Sequence, residues 1–219
     1  MATMSETFVI ADTHFDHPAI IRHCRRPWLQ KGDLITSGKR KGQWVSDEIA
    51  EARTQEMNTA MVANWNETVP SKGALVYIIG DFAWKNHRKW INVLNGKKII
   101  ILGNHDKMSQ LTLSQFSEVH QFLMRKVAGR QLVMFHYPMK TWPSMHYGAI
   151  HLYGHCHGRI PETDYSRCCD VGADVWGYKP VHVSNIIAKM DAKKRGYGGG
   201  NREELDANMI ANAEMNSVY

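Results

Sequence analysis

Five short apolar runs in this chain each end in side chains able to bind a metal ion. Phe8–Ala11 runs into Asp12-Thr13-His14, Leu75–Ile79 into Gly80-Asp81, and Ile99–Leu102 into Gly103-Asn104-His105-Asp106. Leu132–Phe135 ends in His136, and Ile150–Tyr153 in Gly154-His155-Cys156-His157. Residues i and i+2 leaving a strand point the same way, so Asp12 can converge with His14, and His155 with His157. Glycines at 80, 103 and 154 let the chain turn sharply and bring backbone close to an ion. Imidazole nitrogen, carboxylate oxygen and an asparagine carbonyl form a mixed donor set. It suits Mn²⁺, Zn²⁺ or Fe better than Ca²⁺, whose sites are all oxygen. The donors are too many for one tetrahedral ion and about enough for two ions sharing a carboxylate.

The elements that must position these groups follow from hydrophobic pattern. The apolar runs read as buried strands, and Val119–Val127, Gly129-Arg130 and Gln131–Phe135 read as a hairpin. Ala19–Cys24 reads as a short helix, Asp47–Trp65 as a long amphipathic helix with acids in its first turn, and Ser184–Lys194 as a closing helix. Strands alternating with helices predict an α/β fold, made mixed by the hairpin, with the site at the carboxyl ends of the strands. One domain is expected over residues 1–195, with a basic loop insertion at about 25–45. Residues 196–219 read as a Gly-rich joint followed by a C-terminal helix or tail.

The 219 residues, 43% hydrophobic and 22% charged, exclude collagenous and low-complexity classes. No apolar run approaches the roughly 20 residues that span a bilayer. The opening MATMSETFVI lacks the charged lead and apolar stretch of a secretory signal, so a cytoplasmic location is expected. Cys24, Cys156, Cys168 and Cys169 form no C-x-x-C pair and read as small buried residues. The net charge of +6 is concentrated: Arg22 to Lys41 holds seven basic residues against the single acid Asp33. A second basic patch holds Lys85, Arg88, Lys89, Lys97 and Lys98. Such patches favour anionic partners, though solvated loops give the same count.

Asp12-x-His14, Gly80-Asp81, Gly103-Asn104-His105-Asp106, His136 and Gly154-His155-x-His157 together resemble the signature of the calcineurin-like metallophosphoesterases. DTHFDHPAII with Arg26-Pro27, and VGADVWGYKPV at 171–181, resemble a subgroup of small bacterial and phage-encoded phosphoesterases. The resemblance implies an α/β/β/α sandwich of two mixed sheets flanked by helices. It implies that Asp12, His14, Asp81 and His157 hold one divalent ion and Asp81, Asn104, His136 and His155 the other. Mn²⁺ is the first choice, with Zn²⁺, Fe²⁺ or Ni²⁺ as alternatives. One departure stands out: the family's second motif continues to an Asp-Arg pair, and GDFAWKN has neither.

The expected activity is phosphate-ester hydrolysis on a small phosphomonoester or phosphodiester, nucleotides included. Two metals lower the pKa of a bridging water, and the resulting hydroxide attacks phosphorus in line. His105 would assist the leaving group, with Asp106 orienting it. His17, Arg22 and Arg25 are candidates for substrate contact, His17 alternatively capping the helix near Pro18. Trp28, Trp44, Trp142 and Trp176 fall near the expected site edge but read as core volume, and Asp174 reads as a loop-fixing residue. The alternatives are a nuclease using the same site, with residues 22–41 lining a nucleic-acid groove, and a non-catalytic scaffold on this fold.

Overall fold

The computed structural model describes residues 6–193. The expected joint and tail at 196–219, and the domain boundary at 195, lie outside the described residues. Two mixed β-sheets pack face to face and are flanked by helices. The first sheet has order β4-β3-β2-β1-β9. It comprises β1 (Thr7–Ile10), β2 (Leu75–Ile79), β3 (Lys97–Ile101), β4 (Glu118–His120) and β9 (Val181–His182). β1 to β4 run parallel, and β9 closes the edge antiparallel to β1. The second sheet has order β5-β6-β7-β8, from β5 (Leu123–Val127), β6 (Arg130–Met134), β7 (Ile150–Tyr153) and β8 (Cys168–Asp170).

The central strands of the first sheet are apolar along most of their length because both faces are covered. Phe8, Ile10, Val76, Ile78 and Ile100 face the helices, where they meet Ile20, Met57, Met61, Trp65 and Trp90. Val9, Tyr77, Ile79, Ile99 and Ile101 face the second sheet and pack on Leu132, Met134, Ile150 and Leu152. The helical layer consists of α1 (Pro18–His23), α2 (Asp47–Thr68) and α3 (His87–Val93), with the short α4 (Gln110–Leu113). α2 buries Ala50, Thr54, Met57, Asn58, Met61 and Trp65, one stripe at helical spacing, and Ser46 caps it by accepting from Ile49 N–H. The last helix, α5 (Val183–Asp191), sinks Ile186 and Met190 into the core between the sheets. Trp142, Met145 and Ala149 cover the far face of the second sheet around Val133.

Residues 119–127 do not form one strand of a hairpin, as the apolar pattern predicts. Glu118–His120 pairs with β3 in the first sheet, and Leu123–Val127 pairs with β6 in the second. Val119 packs on the helix-side core and Leu123 on the core between the sheets, so the chain changes layer between them. The basic patches also shrink on folding. Lys98 is buried with Nζ donating to the Leu94 and Gly96 carbonyls, at 2.6 and 2.8 Å.

Trp65 is fully buried and its indole N–H donates to the Asn95 carbonyl at 3.1 Å. Trp65→Ala is expected to lower unfolding free energy by about 3–5 kcal/mol. Chemical denaturation of both proteins, chelated alike, measures the difference.

Candidate metal centre

The ends of β1, β2 and β3 in one sheet and of β6 and β7 in the other open onto the same edge. Asp12, His14, Asp81, His155 and His157 all adopt left-handed backbone conformations, with φ between 49° and 69°. This region costs an L-residue about 1–2 kcal/mol and is entered most readily by Asp, Asn and His among side-chain-bearing residues. The chain thus bends at the ends of β1, β2 and β7 by the backbone of the functional residues themselves. Glycine is required where loops touch: a Cβ on Gly103 would lie 2.4 Å from Asp81 Oδ1, and one on Gly154 2.6 Å from Asp12 Oδ2.

Most of the inward-facing groups are held from behind. His136 donates Nδ1–H to the Ile79 carbonyl at 2.9 Å, which leaves its Nε2 as a lone-pair donor 3.5 Å from Asp81 Oδ2. His14 Nδ1 lies 3.1 Å from His17 Nδ1, and its Nε2 is 3.6 Å from the same Asp81 oxygen. His157 Nδ1 meets Asp174 Oδ2 at 2.8 Å. Asn104 Oδ1 stands 3.1 Å from both His136 Nε2 and His155 Nδ1. Asp12 Oδ2 accepts from the His155 N–H at 2.8 Å, and Asp81 Oδ1 from the His105 N–H at 2.9 Å.

Asp12, His14 and His157 bring ligand atoms within 4.8 Å of one another, and so do Asp81, His136 and His155. Asp12 Oδ1 and His14 Nε2 are buried without a hydrogen-bond partner. Buried lone pairs are rarely left so unless an ion or ligand completes them. The donor set, its spacing and these orphaned atoms fit a divalent cation. A third such group, Cys24, His157 and Asp174, is of another kind. Its Asp174 is committed to His157 and to Arg26.

Burial and mutual charge shift the titration of these groups in both directions. Burial, opposed by His157 and His136, pushes the Asp12 carboxyl up to about 7. Burial, together with the Arg26 charge, drives His14 well below the usual imidazole range and keeps its lone pair free. Burial works against ionised Asp81, but the His136 and His14 contacts and the His105 N–H bring it down to about 2. Burial also opposes charged His157, yet the Asp174 contact carries it up to about 10.

The other expected residues fall as follows. His105 sits exposed on the lip, its ring centroid 5.8 Å from that of His14, and no hydrogen bond to the described residues fixes the ring. Asp106 does not orient His105. Its carboxylate is buried and accepts from the N–H groups of Asp81, Phe82 and Gly103 at 2.8–2.9 Å, stapling the β2 and β3 loops together. His17 is at the N-cap of α1 but makes no capping hydrogen bond. Instead its ring stacks on Trp84, with centroids 4.2 Å apart. Arg22 ties α1 to the Gly42 carbonyl, and Arg25 is exposed without a hydrogen bond to the described residues. Neither reaches the cluster.

Two contributors escaped the sequence reading. Arg26, one of the seven basic residues between Arg22 and Lys41, is fully buried and donates to the Asp12 and Thr13 carbonyls and to both Asp174 oxygens. Asp174 does fix a loop, but it also grips His157. The quoted Arg26-Pro27 and VGADVW were the available signals. The tryptophan at the site edge is Trp84, whereas Trp142 is buried beside His151 on the far side of the second sheet.

No family model matches the chain. An uncharacterized protein of Methanocaldococcus jannaschii is 25% identical over 202 residues, spanning 88% of this chain and 95% of that one. The solved structure of a protein of unknown function from Aquifex aeolicus superposes with a TM-score of 0.57 at 20% identity. It covers 84% of this chain and 98% of its own, and the two share a fold. A phosphoesterase from E. coli reaches a TM-score of 0.35 at 15% identity over 76% of this chain and 78% of its own, too loose a match to inform the site. The fold and cluster thus define a two-sheet α/β protein with a candidate metal centre at one edge. Among the described residues no helix is long and apolar enough to cross a membrane.

The His157–Asp174 contact should shape stability of the chelated protein. Asp174, buried but held down to about 2 by His157 and Arg26, contributes fully above 3.8 and loses this as pH falls through about 2. His157 contributes fully below 6.5 and loses this as pH rises through about 10. Asp174→Asn should flatten the pH dependence of the denaturation midpoint on both flanks. Asp106→Ala, which leaves three backbone N–H groups without an acceptor, should cost about 1–3 kcal/mol per unsatisfied buried group where water cannot enter. It should also weaken metal affinity about 10–100-fold, read by titration calorimetry.

Proposed function

We propose that this protein is a metal-dependent hydrolase of phosphate esters, acting on small phosphomonoesters or phosphodiesters, nucleotides included. One observation carries the proposal. Metal-capable donors from both sheets converge at one edge, two of them buried without a partner, beside an exposed histidine whose ring makes no hydrogen bond to the described residues. The motif resemblance at the same positions supports it.

Asp12, His14, Asp81 and His157 would hold one divalent ion and Asp81, Asn104, His136 and His155 a second. When bound, such ions supply positive charge for the phosphoryl oxygens and lower the pKa of water to give a nucleophile near neutral pH. The chain's own residues do the rest. His105, held by its N–H on Asp81 Oδ1 at 2.9 Å, presents a free imidazole to the side from which an ester departs. It donates a proton to the leaving oxygen or stabilises charge there. Asp106 keeps the loop of Asn104 and His105 against that of Asp81 through its three backbone contacts. Arg26, through the Asp12 and Thr13 carbonyls and Asp174, keeps the β1 loop and His157 in register. The exposure of Asn104, His105 and His155 leaves the edge open to small esters.

After chelation, hydrolysis of phosphomonoesters, linear and cyclic nucleotides and DNA should return with Mn²⁺, Zn²⁺, Ni²⁺ or Mg²⁺. Absence of metal-restored hydrolysis across that panel overturns the proposal. Cleavage of single-stranded DNA with no turnover of small esters would make the protein a nuclease. His105→Ala should retain its metal content and lose about 10²–10⁴-fold in turnover. Undiminished turnover in the metal-loaded variant would remove His105 from the chemistry.

A further inference from the structure

The GDFAWKN segment leaves one large side chain without a role in either core. Trp84 is 45% exposed, although indole is among the side chains that gain most from burial. Its backbone is not loose. The Trp84 N–H donates to the Phe15 carbonyl at 2.7 Å, and the neighbouring Ala83 bridges to Phe15, so the residue is pinned to the β1 loop that carries Asp12 and His14. One indole face is covered by the His17 ring, nearly parallel at 6° with centroids 4.2 Å apart. His17 in turn sits 5.1 Å from the His14 ring, between Trp84 and the metal-facing cluster. His105 flanks the same indole at 5.4 Å and a 52° tilt, a tilted contact rather than a stack. No other ring among the described residues stacks on Trp84.

The arrangement is a pinned aromatic plate at the rim of the cluster, beside the histidine assigned to the leaving group. The indole is apolar, π-rich and nearly half exposed, whereas the cluster beside it is built for charge. A phosphate alone would use only the second. We propose that Trp84, backed by His17, forms a stacking subsite for a planar aromatic group carried by the phosphate ester. Aromatic esters and nucleotides are therefore preferred over aliphatic ones. The inference rests on phosphate-ester hydrolysis at this centre and names its substrate class. Lys85, exposed and adjacent to Trp84, adds positive charge on that side of the rim. Base–aromatic stacking tolerates different rings because each presents a π-face, so the subsite selects flatness rather than one base.

The test compares Trp84→Ala and Trp84→Phe with the wild-type, Mn²⁺-loaded protein. kcat/KM is measured on phenyl phosphate, a nucleoside 5′-monophosphate and glycerol phosphate, and binding of phenylphosphonate and methylphosphonate by calorimetry. Trp84→Ala should lower the preference for at least one ring-bearing ester over glycerol phosphate by about 5- to 150-fold. It should lower the preference for phenylphosphonate over methylphosphonate likewise, while Trp84→Phe restores most of both. Which ester responds tells whether the ring is joined to phosphate directly or through a sugar. If Trp84 acts only by propping His17 and so His14, aromatic and aliphatic compounds lose equally and metal content falls; that result, or no change in either preference, overturns the subsite. Should the wild-type protein turn over no ester at all, the hydrolase assignment fails, and the phosphonate comparison still decides whether Trp84 binds rings.

Discussion

A buried guanidinium holds the centre together. Arg26 lies fully inside the protein, and its charge is balanced by Asp174 at 2.9–3.0 Å. Its remaining donors go to the carbonyls of Asp12 and Thr13 and to the sulfurs of Met57 and Met61 on α2. Burying an ion pair is expensive unless every donor and acceptor is used, and here the planar fork of arginine uses them on three sequence-distant segments. The β1 end is fixed in its left-handed turn, and Asp174 is placed to take the Nδ1 side of His157. Removing Asp174 would leave the guanidinium uncompensated as well as the imidazole unheld.

Asp106 plays the matching part on the other side. A carboxylate with three backbone N–H partners joins the β2 and β3 turns, so the positions of Asp81, Asn104 and His105 are set by one side chain that touches none of their functional atoms. Donors pointing inward can stay unpartnered only because their far sides are satisfied in this way. The supporting contacts determine which nitrogen of each histidine faces in: Ile79 O for His136 and Asp174 for His157.

The five strand-end clusters were legible because three independent signals coincide at each of most of them: an apolar run, a turn-permitting residue and a metal-capable side chain. The two-sheet layering was less so. The stretch 119–127 is continuously strand-like, and only the separate partners of β4 and β5 show that it serves both sheets. α3 has seven residues, too few for helical period to stand out beside Lys85, Arg88 and Lys89. Arg26, Lys98 and Asp106 were misjudged for a common reason: charge is visible in sequence, but burial with backbone partners is a property of the folded chain. His151, within β7, is buried between the Val133 and Tyr137 carbonyls.

The centre draws Asp12, His14, Asp81 and Asn104 from the first sheet and His136, His155 and His157 from the second. It therefore straddles the seam where the two layers meet. All four cysteines are free, so no disulfide joins those layers. An ion held between the two sets of donors would act as a clasp across the seam, closing loops such as that of 143 residues between Asp12 and His155. Emptying or filling the clasp changes the chain entropy of the whole fold as well as the local chemistry.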